Sequence, residues 1–361
     1  MTVDSILASV NSGTRLSEQD AAVLLSAEGA DIWKIAAAAD ARRKQVCGDD
    51  VTYVRNMNIH LTNICKNRCG LCAFGTSAAS PDAYFYTDEE FRGRIRLAKN
   101  ENVTEICYLA GIHPAFTVDS YVNIIKAFHD EIPDIHVHGC SPDEIQFAAT
   151  RSGISTKEAL QRLKDAGLNS VQGTAAEILD DAVRKIICEK KLPVAEWIRI
   201  IKEAASLGFK ATSTIMYGSV ETVAQRAHHL QILRDLQDET QVFTELVPLA
   251  FLHKNTPLAD AGIVSHGAFG REDLLMIAVS RLFLDNIRNI QVPWTKVGMK
   301  MAQLCLCAGG NDLGGTMYSD SLSRTAGAGE DADFCSPEEM EQICTDIGRP
   351  LRQRDTLYHL L

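Results

Sequence analysis

Three cysteines, Cys65, Cys69 and Cys72, are separated by three and then two residues in the chain. Thiolates spaced this closely can each bind one iron of an iron–sulfur cube. A four-iron cluster needs four ligands and this motif supplies three, which leaves one iron open for a small chelating molecule. Structural zinc sites usually add a second, distant ligand pair, and the sequence has no such pair at zinc spacing. We therefore predict an iron–sulfur centre, with a zinc knuckle or free thiols as the alternatives.

Other chemically capable residues follow strand-like stretches further along the chain. His138 and His253 could move a proton near neutral pH, although a single histidine at a strand end is more often structural. Glu177 either points into a site or is a solvated acid in the first turn of a helix. Asp312, in a glycine-rich segment, either accepts hydrogen bonds from ligand hydroxyls or caps a surface loop.

Strand-like and helical segments alternate from about residue 52, and four Ser or Thr residues with an acid three positions later predict helix starts. This alternation predicts an α/β fold, a (β/α)8 barrel. Its active site would lie at the carboxyl ends of the strands, and the cysteine run follows the first strand. The strand candidates are 54–61, 104–109, 134–139, 169–172, 210–216, 242–247, 288–292 and 304–308.

The predicted organisation is one barrel domain with an extension at each terminus. Residues 1–48 are Ala-rich and predict a helical N-terminal extension. Residues 49–308 would form the barrel, and residues 309–361 would form a C-terminal extension that closes the barrel mouth. His228 and His229 fall inside a helical pattern and are interpreted as surface or packing residues.

Composition narrows the function classes. The chain has 361 residues, 46% of them hydrophobic and 23% charged, which is enough for a large core. A net charge of −11 argues against nucleic acid or an anionic membrane as a partner. The sequence has neither a membrane-length apolar run nor a signal-peptide pattern. Eleven cysteines without a disulfide-like spacing predict a reducing, cytoplasmic location.

The cysteine motif resembles that of the radical S-adenosylmethionine (SAM) superfamily, whose TIM-type barrels carry a [4Fe-4S] cluster and bind SAM at the open iron. The resemblance implies that the backbone at Ala110-Gly111 binds the SAM amino group. It also implies that strand five, with a loose GxIxGxxE pattern over 214–221, contacts the adenine. The cofactor-binding residues implied in this way are Phe74, Ala110, Gly111, Gln172, Thr174, Glu177, Thr214, Met216, Gly218 and Glu221.

Longer matches resemble the branch of that superfamily that holds CofH, CofG, MqnE and MqnC. They include the segments 173–179, 184–188, 212–218, 243–249 and 311–316. Three sites depart from the branch: Ala110 replaces the first glycine of a Gly-Gly turn, Ser219 replaces a frequent histidine, and Gly139-Cys140 replace a small-aromatic pair. These departures concern the pocket wall rather than the cysteines.

Within that branch the match to CofH implies a transferase. Such an enzyme cleaves L-tyrosine and adds its 4-hydroxybenzyl fragment to 5-amino-6-(D-ribitylamino)uracil, in synthesis of the FO deazaflavin chromophore. A reductant protein and a CofG-like enzyme are the implied partners. The alternatives are an aminofutalosine synthase-like or a dehypoxanthine futalosine cyclase-like enzyme, or, in another class, a non-catalytic metal module. Residues predicted to contact substrate or handle protons are His113, Tyr217, His253 and Asp312.

Overall fold

The computed structural model describes residues 2–317 and 322–361. Its strands are β1 Val51–Val54, β2 Asn56–Ile59, β3 Glu105–Tyr108, β4 His136–Gly139, β5 Ser170–Val171, β6 Lys210–Tyr217, β7 Phe243–Ala250, β8 Asn289–Ile290, β9 Asp312–Gly315 and β10 Leu351–Arg354. Its helices are α1 Val3–Asn11, α2 Glu18–Leu25, α3 Ala30–Cys47, α4 Asp88–Asn100, α5 Val118–Glu131, α6 Pro142–Ser152, α7 Thr156–Asp165, α8 Asp181–Ile187, α9 Val194–Ser206, α10 Val223–Thr240, α11 Pro257–Asp260, α12 Gly270–Phe283, α13 Trp294–Val297, α14 Met299–Leu306, α15 Leu322–Thr325 and α16 Pro337–Asp346, with a 3₁₀ turn at Glu330–Asp333.

Local sequence signals explain where several helices begin. Thr87, Ser141, Ser155 and Ser336 each accept a hydrogen bond from the backbone amide three residues later, which satisfies one free donor of the helix that follows. Pro occupies the first turn of α6 and of α16, where no donor is lost. The predicted helix starts are thus confirmed.

Seven parallel strands, β2 to β8, follow one another in sequence order in one sheet. Parallel neighbours joined by helices curl into a barrel with the helices outside. The strand β9 pairs with β1 on one side, and residue 312 bridges to Gln291 beyond β8 on the other. Because only Arg55 separates β1 from β2, β9 completes a hydrogen-bonded ring. The (β/α)8 barrel prediction is confirmed, with β9 in the eighth position.

The strand predicted over 304–308 is wrong, because residues 299–306 form the helix α14. Its Ala302, Cys305 and Leu306 are buried while Leu304 is 49% exposed, which is the one-sided burial of a helix. A short apolar run is compatible with either element, and periodicity alone does not separate them. The true eighth strand is glycine-rich, and its glycines suggested a turn.

Helices α1 to α3 occupy the predicted N-terminal extension, where α3 packs against α12 and α2 packs against α10. The C-terminal residues contact both ends of the barrel. At the mouth, the Asn255 side chain donates to the Thr325 carbonyl. At the opposite end β10 pairs with β1, so the last residues lie beside the amino ends of the strands. None of the described helices is long and apolar enough to span a membrane.

Candidate active site

The three motif cysteines line one cavity of about 270 Å³ at the carboxyl ends of the strands. They lie in the long loop that follows β2. A Cβ placed on Gly75 would lie 3.8 Å from the sulfurs of both Cys65 and Cys72, so this glycine keeps space beside the two thiols. The Gly75 amide also donates a hydrogen bond of 3.3 Å to the Cys72 sulfur. Such donors around a thiolate stabilise its charge.

The loop is held by backbone and amide hydrogen bonds rather than by apolar packing alone. Cys65 donates to the Thr76 carbonyl at 2.9 Å, and Thr76 donates to the Asn63 carbonyl at 2.9 Å. The Asn63 side chain bonds the backbone at Asp82 and Tyr84, both at 2.8 Å. The loop therefore folds back on itself and directs its thiols toward the cavity.

Burial and charge act in opposite directions on the Cys69 thiol. Burial raises the pKa of the Cys69 thiol to about 12, and the nearby Lys191 ammonium opposes that rise. Burial alone would lower the pKa of Lys191, but the Glu177 carboxylate and the neighbouring thiols raise it well above its ordinary value. Lys191 forms an ion pair with Glu177, and both line the cavity.

The donor set fits an iron–sulfur cluster. Three soft thiolates on one wall match the ligands that such clusters take, each sulfur binding a different iron. Across residues 2–317 and 322–361, no three His, Cys, Asp or Glu side chains converge on the position of a single ion. A cluster does not require such convergence, because its irons are separate.

The turn after β3 brings Ala110 and Gly111 into the same cavity. The Gly111 amide donates to the Thr62 carbonyl at 2.8 Å, which ties this turn to the cysteine loop. A Cβ on Gly111 would come within 2.4 Å of the Ile64 carbonyl oxygen, closer than any real contact. Gly111 is therefore required for close approach of two backbones.

We expect Gly111→Ala to separate the turn from the cysteine loop and to lower cluster content and SAM cleavage together, by at least about tenfold, because a positioning error of about 1 Å costs up to 10²-fold. Iron content and 5′-deoxyadenosine formation measure the two effects. Ala110→Gly is the matched control, since it removes one methyl group from the neighbouring residue of the same turn and adds no atom that could clash. Normal cluster content and activity in Gly111→Ala would contradict the predicted role.

The loop after β5 contributes Gln172, Thr174 and Glu177 to the cavity wall. Gln172 is fixed by a hydrogen bond of 3.0 Å to the Tyr108 carbonyl, and Thr174 donates to the Gln172 amide oxygen at 3.3 Å. Glu177 is 7% exposed and adopts a positive φ of 47°. Its burial and its ion pair exclude the interpretation as a solvated acid.

The strand β6 places Thr214 and Met216 on the cavity wall, but not Gly218 or Glu221. The Glu221 carboxylate instead accepts the Gly218 amide at 2.6 Å and the Ser219 amide at 3.0 Å, and it pairs with Arg226 at 2.8 Å. Glu221 thus shapes the turn after β6. Phe74 lines the cavity, and its ring lies 5.5 Å from that of His60.

The four residues predicted to contact substrate do not line this cavity. His113 packs between Phe85 and Phe116, at ring distances of 5.2 and 5.1 Å, and burial lowers its pKa. The buried Tyr217 hydroxyl donates to Asp273 at 2.8 Å.

The other two predicted substrate contacts are also engaged elsewhere. His253 belongs to the turn after β7, where its carbonyl accepts the Thr256 hydroxyl at 2.6 Å. Asp312 is fully buried and accepts two hydrogen bonds from Arg354, at 2.6 and 2.9 Å. Asp312 is therefore a structural ion-pair partner rather than a surface cap.

Sequence reasoning missed the residues that support the cavity wall from behind. His229 is fully buried in α10; its Nδ1 accepts the Leu179 amide and its Nε2 donates to the Thr214 carbonyl, both at 2.9 Å. Burial lowers its pKa to about 3, so the ring is neutral. The interpretation of His229 as a packing residue understates this link between β6 and the loop after β5. The position of His229 within a helical pattern gives no indication of these two hydrogen bonds.

Lys191, Asn67 and Lys296 also line the cavity without having been predicted. The Asn67 amide donates to the buried Asp143 carboxylate, whose pKa is raised by burial. Asn67 lies inside the cysteine run, but its partner Asp143 is 76 residues away, so its role has no local signal. Lys191 and Lys296 are distant from the cysteines in the chain and are brought to them only by the fold.

Two family models match the chain. Residues 59–233 match the radical SAM superfamily, and residues 240–360 match the CofH/MqnC C-terminal region. The first match contains the cysteine motif and the strands that line the first half of the cavity. The second contains β7, β8, β9 and the residues at the base of the barrel.

Curated relatives match over almost the whole chain. A 5-amino-6-(D-ribitylamino)uracil–L-tyrosine 4-hydroxyphenyl transferase of Methanosphaerula palustris is 52% identical, covering 99% of this chain and 98% of the relative. A protein of the same name from Methanocaldococcus jannaschii is 45% identical, covering 90% and 91%.

Solved structures share the fold at low identity. Methylornithine synthase (PylB) aligns with a TM-score of 0.72 at 17% identity, covering 96% of this chain and 97% of that one. The FeFe-hydrogenase maturase HydG from Carboxydothermus hydrogenoformans aligns with a TM-score of 0.75 at 15% identity, covering 99% and 80%. At these low sequence identities the structural similarity shows a shared fold only.

Proposed function

The chain belongs to the family of 5-amino-6-(D-ribitylamino)uracil–L-tyrosine 4-hydroxyphenyl transferases within the radical SAM superfamily, and we propose that it carries out the reaction for which these relatives are named. It would cleave L-tyrosine and join the 4-hydroxybenzyl fragment to 5-amino-6-(D-ribitylamino)uracil. The observation that carries the proposal is 52% identity over 99% of the chain. The cavity that contains all three motif cysteines supports it.

Cys65, Cys69 and Cys72 would hold a [4Fe-4S] cluster, which with SAM supplies a 5′-deoxyadenosyl radical when bound. The backbone at Ala110 and Gly111 would receive the SAM amino group. Small residues suit this role because the ligand must approach the backbone closely.

Further residues of the wall would complete the SAM site. Phe74, Thr214 and Met216 offer the apolar and backbone surface for the adenine, and Gln172, Thr174 and Glu177 offer polar contacts. Lys191, paired with Glu177, would keep a positive charge near the anionic groups of the cofactors.

Cover over the cavity would have a chemical purpose in this reaction. A primary carbon radical abstracts hydrogen from any nearby C–H bond, so water and loose side chains must be kept away. Ala326, from the C-terminal residues, lies against the cavity and contributes to its cover. A reductant protein must supply the electron, and all eleven cysteines are free, which suits a reducing cytoplasm.

An anaerobic assay tests the function. The reconstituted, reduced protein is given SAM, L-tyrosine and 5-amino-6-(D-ribitylamino)uracil, and 5′-deoxyadenosine and adduct mass are followed by liquid chromatography–mass spectrometry. We expect both deoxyadenosine and a hydroxybenzyl–uracil adduct. Adduct formation only with an enolpyruvyl acceptor, or cyclisation of dehypoxanthine futalosine, would assign one of the sister reactions instead.

A further inference from the structure

A second cavity, of about 240 Å³, lies inside the barrel and reaches from the first cavity to the amino ends of the strands. Six residues line both cavities, so the two adjoin: Leu109, Gln172, Thr174, Thr214, Leu249 and Lys296. The interior of such barrels is normally filled by layers of branched apolar side chains. A barrel interior with this much room departs from that pattern and could admit part of a substrate.

The deep end of this second cavity is polar. Its wall includes Asn56, Asn58 and Glu105 from β2 and β3, and Glu245 from β7. Each of these side chains is more than nine-tenths buried. Burying polar groups costs free energy unless they find partners, so this wall favours an occupant that forms hydrogen bonds.

The C-terminal residues form the base of the second cavity, through Arg354 and Thr356. Arg354 is neutralised by its two hydrogen bonds to Asp312. The Tyr358 hydroxyl donates to Glu245 at 2.6 Å. The base is thus a closed, preorganised network rather than a solvent channel.

Two buried atoms on this wall have no hydrogen-bond partner among the described residues. They are the Oδ1 of Asn58, whose residue is 5% exposed, and the Oγ1 of Thr356, whose residue is 8% exposed. Leaving a buried polar atom unpaired is unfavourable for the folded protein. Both residues line the second cavity, so a ligand there would supply the missing partners.

Resting on the proposed function, we propose that the deep end of the second cavity binds the ribityl chain of the uracil acceptor. Every hydroxyl of that chain can donate one hydrogen bond and accept others. Such a chain can therefore satisfy the Asn58 and Thr356 oxygens together with the free positions of Glu105 and Glu245.

The charges at the deep end exclude the tyrosine carboxylate as its occupant. Glu105 and Glu245 face the cavity, whereas the only cation among the described residues at this end, Arg354, is already paired. A carboxylate placed there would meet like charge without a free partner. The tyrosine phenol carries one hydroxyl, too few for this wall. The uracil ring then lies nearer the cysteines, where the 4-hydroxybenzyl fragment forms.

The test compares kinetics of the reconstituted holoenzyme and its Thr356→Val variant. We expect the KM for the ribityl acceptor to rise about tenfold, the effect of losing about 1.4 kcal/mol of binding, with the KM for L-tyrosine changed by less than about twofold. The inhibition constant of 5,6-diaminouracil, which lacks the chain, should stay the same. Ser280→Ala is the matched control, because it removes a buried, unpartnered hydroxyl that lines neither cavity.

The outcomes separate the subsite from the reaction. Unchanged KM values, or equal losses for the ribityl acceptor and the chainless uracil, would overturn the subsite, and a rise confined to L-tyrosine would place the phenol there. Absence of any adduct from the wild-type protein would instead overturn the proposed function, and the subsite with it. If Thr356→Val fails to fold, Asn58→Ala replaces it, with the same expectations.

Discussion

Cys69→Ala should abolish both the iron–sulfur cluster and SAM cleavage, a larger loss than the 10–100-fold typical of removing an outer-shell partner. Cys69 is one of three thiols on the cavity wall, and no fourth cysteine among the described residues lines it. A cluster held by two protein thiolates would be labile. The measurements are iron and sulfide content, the electron paramagnetic resonance signal of the reduced protein, and 5′-deoxyadenosine formed from SAM.

Cys188→Ala is the matched control for this prediction. Cys188 is a buried thiol close enough to Cys69 to influence its pKa, yet it does not line the cavity. Its replacement tests whether any nearby cysteine would serve, and it should leave the cluster and SAM cleavage intact. Retention of a normal cluster in Cys69→Ala, or its loss in Cys188→Ala, would contradict the ligand assignment.

The cysteine motif and the barrel could be predicted because their signals are local. Ligands within eight residues are visible as spacing, and a strand or helix start depends on its immediate neighbours. The eighth strand was missed because Gly314 and Gly315 suggest a turn in isolation. In the fold, the space that a side chain would need at these positions is occupied by residues distant in the chain. A Cβ on Gly315, for example, would lie 1.9 Å from the Asn56 side-chain oxygen. No local pattern shows such a neighbour.

The site was predicted in part for the same reason. Ala110 and Gly111 could be placed at the cavity because they directly follow a strand, and the carboxyl ends of the strands meet at the barrel mouth. Asp312 was misjudged because its partner Arg354 is 42 residues away. The role of a buried charged residue depends on the residue that it pairs with, and a pair that forms across the barrel is visible only in the fold.

Arg184 does not line the cavity, but its hydrogen bonds support the cavity wall. It is 3% exposed and donates to the Leu192 carbonyl at 2.9 and 2.6 Å. It also donates to the carbonyls of Ala175, at 3.1 Å, and of Ala176, at 2.5 Å. These carbonyls belong to the loop after β5 that carries Glu177, and to the segment beside Lys191. One guanidinium thus connects the loop that carries Glu177 to the segment next to Lys191, the two partners of the ion pair on the cavity wall.

The loop that Arg184 holds is strained. Ala175 has a φ of 64° and Glu177 a φ of 47°, a region that non-glycine residues rarely adopt. Such residues cost about 1–3 kcal/mol each and persist only where the surroundings fix them. Two sets of contacts hold this loop in place: the Arg184 hydrogen bonds, and the His229 ring, which links the Leu179 amide to the Thr214 carbonyl.

Arg184→Met should therefore destabilise the protein by about 3 kcal/mol or more, since each buried carbonyl left unpaired costs about 1–3 kcal/mol. It should also weaken SAM binding at least about tenfold, because relaxation of the loop moves Thr174 and Glu177 away from the cavity. Arg184→Lys should recover only part of both losses, because one ammonium cannot reach both sets of carbonyls. Anaerobic urea unfolding and equilibrium binding of SAM measure the two effects.

The matched control is Arg162→Met, which removes a guanidinium that is 40% exposed and paired with Asp119 at the surface of α7. Exposed ion pairs contribute about 0–1 kcal/mol, so this variant should unfold almost like the wild type and bind SAM normally. If Arg184→Met lost no more stability than Arg162→Met, the Arg184 hydrogen bonds would not be what fixes the strained loop. If it lost stability but kept full SAM affinity, the loop would hold its shape without Arg184, and His229 would be the residue that positions Glu177.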